Sequence, residues 1–287
     1  MHESVISRFA PSPTGGLHLG HAFSALLAHD FARSRGGRFL LRIEDIDPTR
    51  CRPEHVAGIM EDLCWLGVEW DGEPLFQSTR LPLYRAALDQ LRAAGLAYPC
   101  FCTRAQIAAE IAASASAPHG PDGPIYPGTC RSLGDAERAR RIGTGEPHAW
   151  RLDSAMATAR AGPLVWHDEA AGAVAATPEI HGDVVLARKD APTSYHLAVT
   201  VDDAAQTVTD VVRGEDLFAA THVHRLLQAL LDLPTPRYHH HRLLTDEKGE
   251  RLAKRAGAPT LASMRAEGMD AAALCARLRC QRRPSLA

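Results

Sequence analysis

The 287-residue sequence has no apolar run that could cross a bilayer: its longest, such as Phe23 to Leu27, are short and interrupted by His and Asp. Met1 to Ser7 contain a glutamate and lack the apolar core of a signal peptide. A cytoplasmic location is therefore expected, and a membrane partner is not. Neither sign of charge is in excess, since 32 basic and 34 acidic residues give a net charge of −2. A whole-molecule electrostatic claim on nucleic acid has no support, so any RNA contact would use local basic groups. The seven cysteines (Cys51, Cys64, Cys100, Cys102, Cys130, Cys275 and Cys280) are odd in number and scattered. Without a secretion signal they read as reduced thiols, which excludes a disulfide scaffold. Repeats and long linkers are absent as well. What is present is ordinary globular composition, 45% apolar and 23% charged, at a length that supports a large core.

The order of local patterns points to a parallel α/β fold. Residues 5–9 read as a buried strand, and Pro11, Pro13, Gly15 and Gly16 punctuate the turn after it. Leu17, Leu19, Phe23, Leu26, Leu27 and Phe31 then repeat at helical spacing until Gly36-Gly37. A second strand at 38–43 runs into the acidic turn Glu44-Asp45-Ile46-Asp47-Pro48, and helices fit 53–66 and 79–95, closed by Gly67 and Gly95. Strand, helix, strand, helix predicts a parallel sheet with crossover helices. Near Pro99 the pattern changes, and 112–129 is rich in Ala, Ser, Pro and Gly with cysteines on either side. Strand-like runs return at 183–187, 197–201 and 207–213, a helix fits about 218–231, and the last thirty residues carry alanine-rich helical stretches and a basic end.

The most informative segment is Arg8-Phe9-Ala10-Pro11-Ser12-Pro13-Thr14-Gly15-Gly16-Leu17-His18-Leu19-Gly20-His21. A strand end, a Pro- and Gly-shaped turn and a helix opening on His-x-Gly-His make a phosphate-binding arrangement, because unpaired N–H groups and the positive dipole end meet there. Gly20 lets a flat base or ribose approach the backbone. His18 and His21, three apart on one helical face, can donate hydrogen bonds to a phosphoryl oxygen as charge develops.

This segment resembles the signature of the class I aminoacyl-tRNA synthetases in the form used by their glutamyl branch. Three further segments agree, in the family's order: Arg42-Ile43-Glu44-Asp45-Ile46-Asp47-Pro48-Thr49-Arg50, Val212-Arg213-Gly214-Glu215-Asp216-Leu217, and Arg251-Leu252-Ala253-Lys254-Arg255, a degenerate form of the mobile lysine loop. The resemblance implies a Rossmann-like catalytic domain with an inserted mixed α/β, zinc-containing subdomain. The expected divisions are 1–98 and 186–245 for the two catalytic halves, 99–185 for an inserted acceptor-binding and zinc subdomain, and 246–287 for the lysine loop and a short helical segment.

The same resemblance implies activation of L-glutamate by ATP to glutamyl-adenylate, with magnesium accompanying ATP. Arg8 and Arg213 would hold the substrate carboxylates, Glu44 its ammonium, and Ser12 and Tyr195 would add neutral hydrogen bonds. Arginine suits this task because it stays charged and can grip a carboxylate through two N–H groups; the bland alternative for both is a surface salt bridge. His18, Gly20, His21 and Lys254 would serve ATP. In the loop, Arg251 stands where the family has its first lysine and Ala253 where it has serine.

Cys100-Phe101-Cys102, Tyr126 and Cys130 form C-x-C…Y-x3-C, in which three thiolates suit tetrahedral zinc. The matched sequences suggest Tyr126 as the fourth ligand, with His119 or water as alternatives. The chain also runs only about thirty residues past Lys254, so an anticodon-binding domain is not expected. Within the glutamyl branch that architecture belongs to stand-alone catalytic domains that esterify glutamate onto queuosine at the wobble position of tRNA(Asp). Queuosine-carrying tRNA(Asp) is thus the expected partner, met by a monomer; the alternatives are a truncated glutamyl-tRNA synthetase paralogue using another acceptor and a catalytically idle nucleotide- or RNA-binding paralogue. Arg138, Arg140 and Arg141 are candidate RNA contacts, although a solvated helix face explains them equally.

Overall fold

The computed structural model describes residues 4–113, 119–121, 123–244 and 259–281. Strand β1 (Ile6–Phe9) leads through α1 (Leu19–Arg33) to β2 (Arg38–Ile43), and the two strands pair in parallel from Ile6 opposite Arg38 to Phe9 opposite Leu41. Helix α1 covers them with Phe23, Leu26, Leu27 and Phe31, the residues whose spacing predicts it. Gly37 is obligatory at the entry to β2, since a Cβ there would collide with the Val5 carbonyl. Helix α2 (Pro53–Trp65) starts on a proline that has no N–H to leave unpaired. Strand β3 (Leu75–Phe76) extends the sheet beyond β2, and α3 (Leu81–Ala93) follows. Gly67 and Gly95, which close α2 and α3, have φ of +69° and +72°.

Three antiparallel strands come next in space: β4 (Ala97–Cys100), β7 (Ala149–Leu152) and β10 (Val185–Ala187), with β7 in the middle. Between β4 and β7 lie α4 (Arg104–Ala113), the two-residue strands β5 (His119–Gly120) and β6 (Gly123–Pro124), and α5 (Asp135–Gly143). Helix α6 (Ser154–Ala161) and the hairpin of β8 (Val165–Asp168) and β9 (Gly172–Ala175) separate β7 from β10. Helix α7 (Tyr195–Ala205) precedes β11 (Asp210–Gly214), α8 (Ala220–Leu230) and β12 (Arg237–His241), and α9 (Leu261–Ala266) and α10 (Ala271–Cys280) complete the described chain.

Strands β11 and β12 are parallel, and β8 joins β12 in parallel at Asp168 opposite Tyr238. The Thr209 N–H donates to Ile6 O at 3.0 Å, so β1 and β11 lie side by side. The parallel order is β3-β2-β1-β11-β12, which reverses between β1 and β11. Open α/β sheets bind ligands at such a reversal, off the carboxyl ends of the strands, and Arg8 and Arg213 stand on those two strands. One core packs α1, β1, β2 and α2 against α9 and α10, and a second lies among α3, α6, α7 and α8.

One sequence expectation is overturned. Residues 197–201, whose β-branched run predicts a strand, lie within helix α7. Leu197, Ala198, Val199 and Thr200 are all buried, and a helix enclosed on every side loses the 3.6-residue alternation that would reveal it. Ser194 caps it by accepting the Leu197 N–H. Among the described residues, no helix is long and apolar enough to cross a membrane.

Candidate active site

The turn between β1 and α1 places two histidines in an unusual cap. His18 is the N-cap of α1, and its Nδ1 accepts the Gly20 N–H at 3.1 Å, while His21 Nδ1 accepts the His18 N–H at 3.3 Å. This is a capping box in which imidazoles replace the usual Ser and Glu. With both Nδ1 atoms used as acceptors, each neutral ring carries its proton on Nε2. Burial lowers the His18 pKa, and burial together with the His18 charge takes His21 down to about 4. The rings stack with centroids 3.7 Å apart, and a Cβ on Gly20 would press on the His18 ring at 3.0 Å. Thr260 bridges back to His18, and Leu261 donates its N–H to Leu17 O at 2.7 Å. The end of the segment that carries Arg251, Ala253 and Lys254 is therefore anchored beside this turn; those three residues lie outside the described ones.

A cavity of about 570 Å³ opens off His18, Gly20 and His21 and is also lined by Arg8, Ser12, Glu44, Tyr195 and Arg213. The residues expected to bind glutamate and ATP, Lys254 apart, thus share one space. Neither arginine is a surface residue, with Arg8 4% and Arg213 6% exposed. Arg8 gives its Nε and Nη2 to Asp203 at 2.9 and 3.3 Å, and Arg42 gives Nη1 to the same carboxylate at 2.8 Å. Burial raises the Asp203 pKa, but the two guanidiniums outweigh it and hold the group below its ordinary value. Arg213 hydrogen-bonds to His240, His224, Thr221, the Leu217 carbonyl and, at 3.5 Å, Tyr195 Oη. Glu44 differs: burial pushes its carboxyl up to about 7 against the pull of Arg42, whose Nη2 is 3.8 Å away.

A second cavity of about 740 Å³ shares Ser12, Glu44 and Tyr195 with the first and runs past Asp47, Arg188 and Lys189 to Cys102 and Arg104. At that end Cys100, Cys102 and Cys130 place their sulfurs within 4.8 Å of one another. The Tyr126 hydroxyl lies 3.4 Å from Cys100 Sγ and 3.6 Å from Cys102 Sγ. Three thiols and a phenol converging on one point fit a tetrahedral zinc ion, whose bonds to sulfur are about 2.3 Å. The surrounding cluster is small, Tyr98, Cys100, Phe101, Tyr126 and Cys130 with Cys102, Ile107 and Leu133 packed against it, so a metal here would cross-link loops that share little other core. The His119 side chain lies outside the described residues. Lys189 Nζ donates to the Phe101 carbonyl at 2.6 Å, which ties the knuckle to the cavity wall.

Of the α5 arginines, Arg140 and Arg141 pair with Glu137, and Arg138 donates to the Arg131 carbonyl. Arg42, Asp203, His240 and Asp168 were not singled out by sequence reasoning. Arg42 was visible inside a quoted motif, and Asp203 as an acid closing an apolar run. His240 and Asp168 carried no local signal.

Residues 4–283 match the family model described as "tRNA synthetases class I (E and Q), catalytic domain". A Rhodobacter capsulatus protein named glutamyl-Q tRNA(Asp) synthetase is 54% identical over 283 residues, covering 93% of this chain and 97% of its own length. A protein of the same name from Nocardia farcinica is 48% identical, covering 91% of this chain and 79% of its own. Among solved structures, the glutamate-tRNA synthetase of Elizabethkingia anophelis superposes with a TM-score of 0.74 at 29% identity. The match covers 93% of this chain but 54% of that one, so the chain spans about half the length of that synthetase.

Proposed function

This chain belongs to the class I tRNA synthetases of the E and Q catalytic-domain family, alongside the glutamyl-Q tRNA(Asp) synthetases, and from that membership we propose that it activates L-glutamate with ATP and transfers it to queuosine at the wobble position of tRNA(Asp). The observation that carries the reading is the shared cavity, which sets Arg8, Arg213 and Glu44 beside the His18 and His21 donors at a helix start. Glutamate has two carboxylates and one ammonium, and the two cations and one anion complement it.

In the first step a glutamate α-carboxylate oxygen attacks the α-phosphorus of ATP. One O–P bond forms, the bond to the bridging oxygen breaks, and pyrophosphate leaves. No protein nucleophile is needed, so the chain's work is positioning and charge stabilisation. Arg8 and Arg213 hold the carboxylates, Glu44 the ammonium, and Ser12 and Tyr195 complete the cradle. Gly20 leaves room for the nucleoside. The Nε2–H groups of His18 and His21 face the phosphates, and Lys254 serves the pyrophosphate side. Magnesium, if it accompanies ATP, would add charge neutralisation on the phosphates.

In the second step a hydroxyl of the acceptor attacks the adenylate carbonyl, an ester forms and AMP leaves. We place the acceptor in the larger cavity, between the catalytic halves (1–98 and 186–245) and the zinc-bearing insertion (99–185). Zinc on Cys100, Cys102, Cys130 and Tyr126 would fix the knuckle that walls this cavity.

The test is transfer of labelled glutamate to queuosine-containing tRNA(Asp), unmodified tRNA(Asp) and tRNA(Glu). Alkali-labile label on the first alone is expected. Label on tRNA(Glu), or on nothing despite normal ATP–pyrophosphate exchange, would overturn the acceptor.

A further inference from the structure

Arg213 is a buried cation held by neutral acceptors: among the described residues, no carboxylate lies within salt-bridge reach of it. Arg8 and Arg42, by contrast, share Asp203. The Arg213 Nε–H donates to His240 Nε2 at 3.1 Å, its Nη2 to Thr221 Oγ1 at 2.6 Å and to the Leu217 carbonyl at 3.1 Å, and its Nη1 to His224 Nδ1 at 3.3 Å. A second Nη1–H points toward Tyr195 Oη, 3.5 Å away on the cavity wall.

The contact to His240 dictates a tautomer. Because Nε2 accepts from Arg213, the His240 proton is on Nδ1, which lies 2.8 Å from Asp168 Oδ2. Asp168 is immobilised in turn. Its Oδ2 also accepts the His240 N–H at 3.2 Å, and its Oδ1 accepts the N–H groups of Ala170 and Ala171, both at 3.0 Å. Burial would raise the Asp168 pKa, but the hydrogen bonds from His240 and the backbone hold it below the ordinary carboxylate range. Asp168 ends β8, in the segment that interrupts the parallel sheet, and reaches His240 only because β8 docks on β12. Neither residue lines the substrate cavity.

We propose that Asp168 and His240 are positioning residues for Arg213: the carboxylate holds the imidazole with its Nε2 lone pair toward the guanidinium, and the guanidinium offers the side-chain carboxylate of the amino acid an uncancelled charge and the Nη1–H whose long 3.5 Å contact with Tyr195 Oη faces the cavity. This inference rests on glutamate as the amino-acid substrate. The other tautomer would set Nε2–H against the Arg213 Nε–H, donor against donor. Asp168→Asn brings that about. Its one amide oxygen cannot serve the Ala170 and Ala171 N–H groups and His240 Nδ1 together, and when its NH2 faces Nδ1 the imidazole proton must move to Nε2.

The experiment is ATP–pyrophosphate exchange with the full chain, resolved into kcat and the KM of each substrate, with melting temperature recorded for each variant. Glutamate-dependent exchange by the unmodified chain checks the underlying reading first; its absence would overturn that reading and this proposal with it. Asp168→Asn is expected to raise the glutamate KM about tenfold while leaving the ATP KM and kcat within about twofold. His240→Gln places an amide oxygen where Nε2 was, so Asp168→Asn with His240→Gln should return the glutamate KM to within about threefold of the unmodified value. Should Asp168→Asn fail to fold, His240→Gln against His240→Leu makes the same comparison, since only the first keeps an acceptor for Arg213. An unchanged glutamate KM in Asp168→Asn or His240→Leu, or equal losses on both substrates that His240→Gln does not rescue, would overturn the proposal.

Discussion

His18 and His21 stack face to face, and each turns Nδ1 toward a backbone amide so that Nε2–H is its remaining polar group. The pair therefore acts as neutral donors. His21→Asn keeps an acceptor for the His18 N–H but has no Nε2–H. It should lower kcat of pyrophosphate exchange about a hundredfold with little change in melting temperature. His21→Ala loses the cap as well, at about 1 kcal/mol, and should also melt a few degrees lower (roughly 2–4 °C). Equal activity of His21→Asn and the unmodified chain would remove His21 from the chemistry. The sign of its pH effect follows from its pKa, which falls from 6.5 to about 4 on folding. Its contribution to stability is complete above pH 6.5 and is lost as pH falls toward 4.

Glu44 has the opposite displacement. Its carboxyl, raised to about 7 by burial, is protonated below that pH and cannot then accept an ammonium as an anion. Glutamate KM should rise as pH falls through 7, by up to about tenfold per pH unit, while ATP KM stays level. Glu44→Gln should bind glutamate weakly at every pH and abolish the slope. A flat glutamate KM from pH 6 to 8.5 in the unmodified protein would exclude Glu44 as the ammonium site.

The sulfur cluster predicts about one zinc per chain by metal analysis. Cys102→Ser should lower both zinc content and melting temperature, and a chelator should do the same to the unmodified protein. Tyr126→Phe separates the fourth ligand from the other three. Its metal affinity should fall, whereas unchanged affinity would leave the three thiolates and another group as the ligand set. Zinc content that Cys102→Ser leaves unchanged, or no zinc in the unmodified protein, would dismiss the site.

Asp203 bridges two buried guanidiniums, so Asp203→Ala removes the carboxylate paired with Arg8 and leaves Arg42 only the more distant Glu44, at 3.8 Å. Breaking a buried pair from one side costs about 3–5 kcal/mol, to be read from denaturant unfolding. Arg8 would also be free to leave the cavity proposed to bind glutamate, so glutamate KM should rise along with the loss of stability. A stable variant with normal glutamate KM would show that Arg8 needs no such anchor.

Most of the catalytic half was legible because its signals are local. Helix α1, the turn before it and the helix-closing glycines Gly67 and Gly95 each depend on residues within a few positions of one another, and the Arg8–His21 segment carries strand, turn and helix start in one motif. Cys100, Cys102 and Cys130 were readable as a candidate metal set from the C-x-C pair and a third cysteine downstream, and the fold brings their sulfurs within 4.8 Å of one another. Helix α7 was misread because burial on all sides removed its periodicity, and its Asp203 therefore had no face to be assigned to. The partners of the arginines were decided by tertiary structure alone. Asp203 lies 195 positions from Arg8, and Asp168 lies 72 from His240; the first pair meets because helix α7 turns Asp203 onto the Arg8 end of β1, and the second because β8 pairs with β12. Which side chains could carry charge was set by residue type, but which charges stayed uncancelled for a substrate was settled by packing, because a buried ion's worth depends on the few groups within about 4 Å of it.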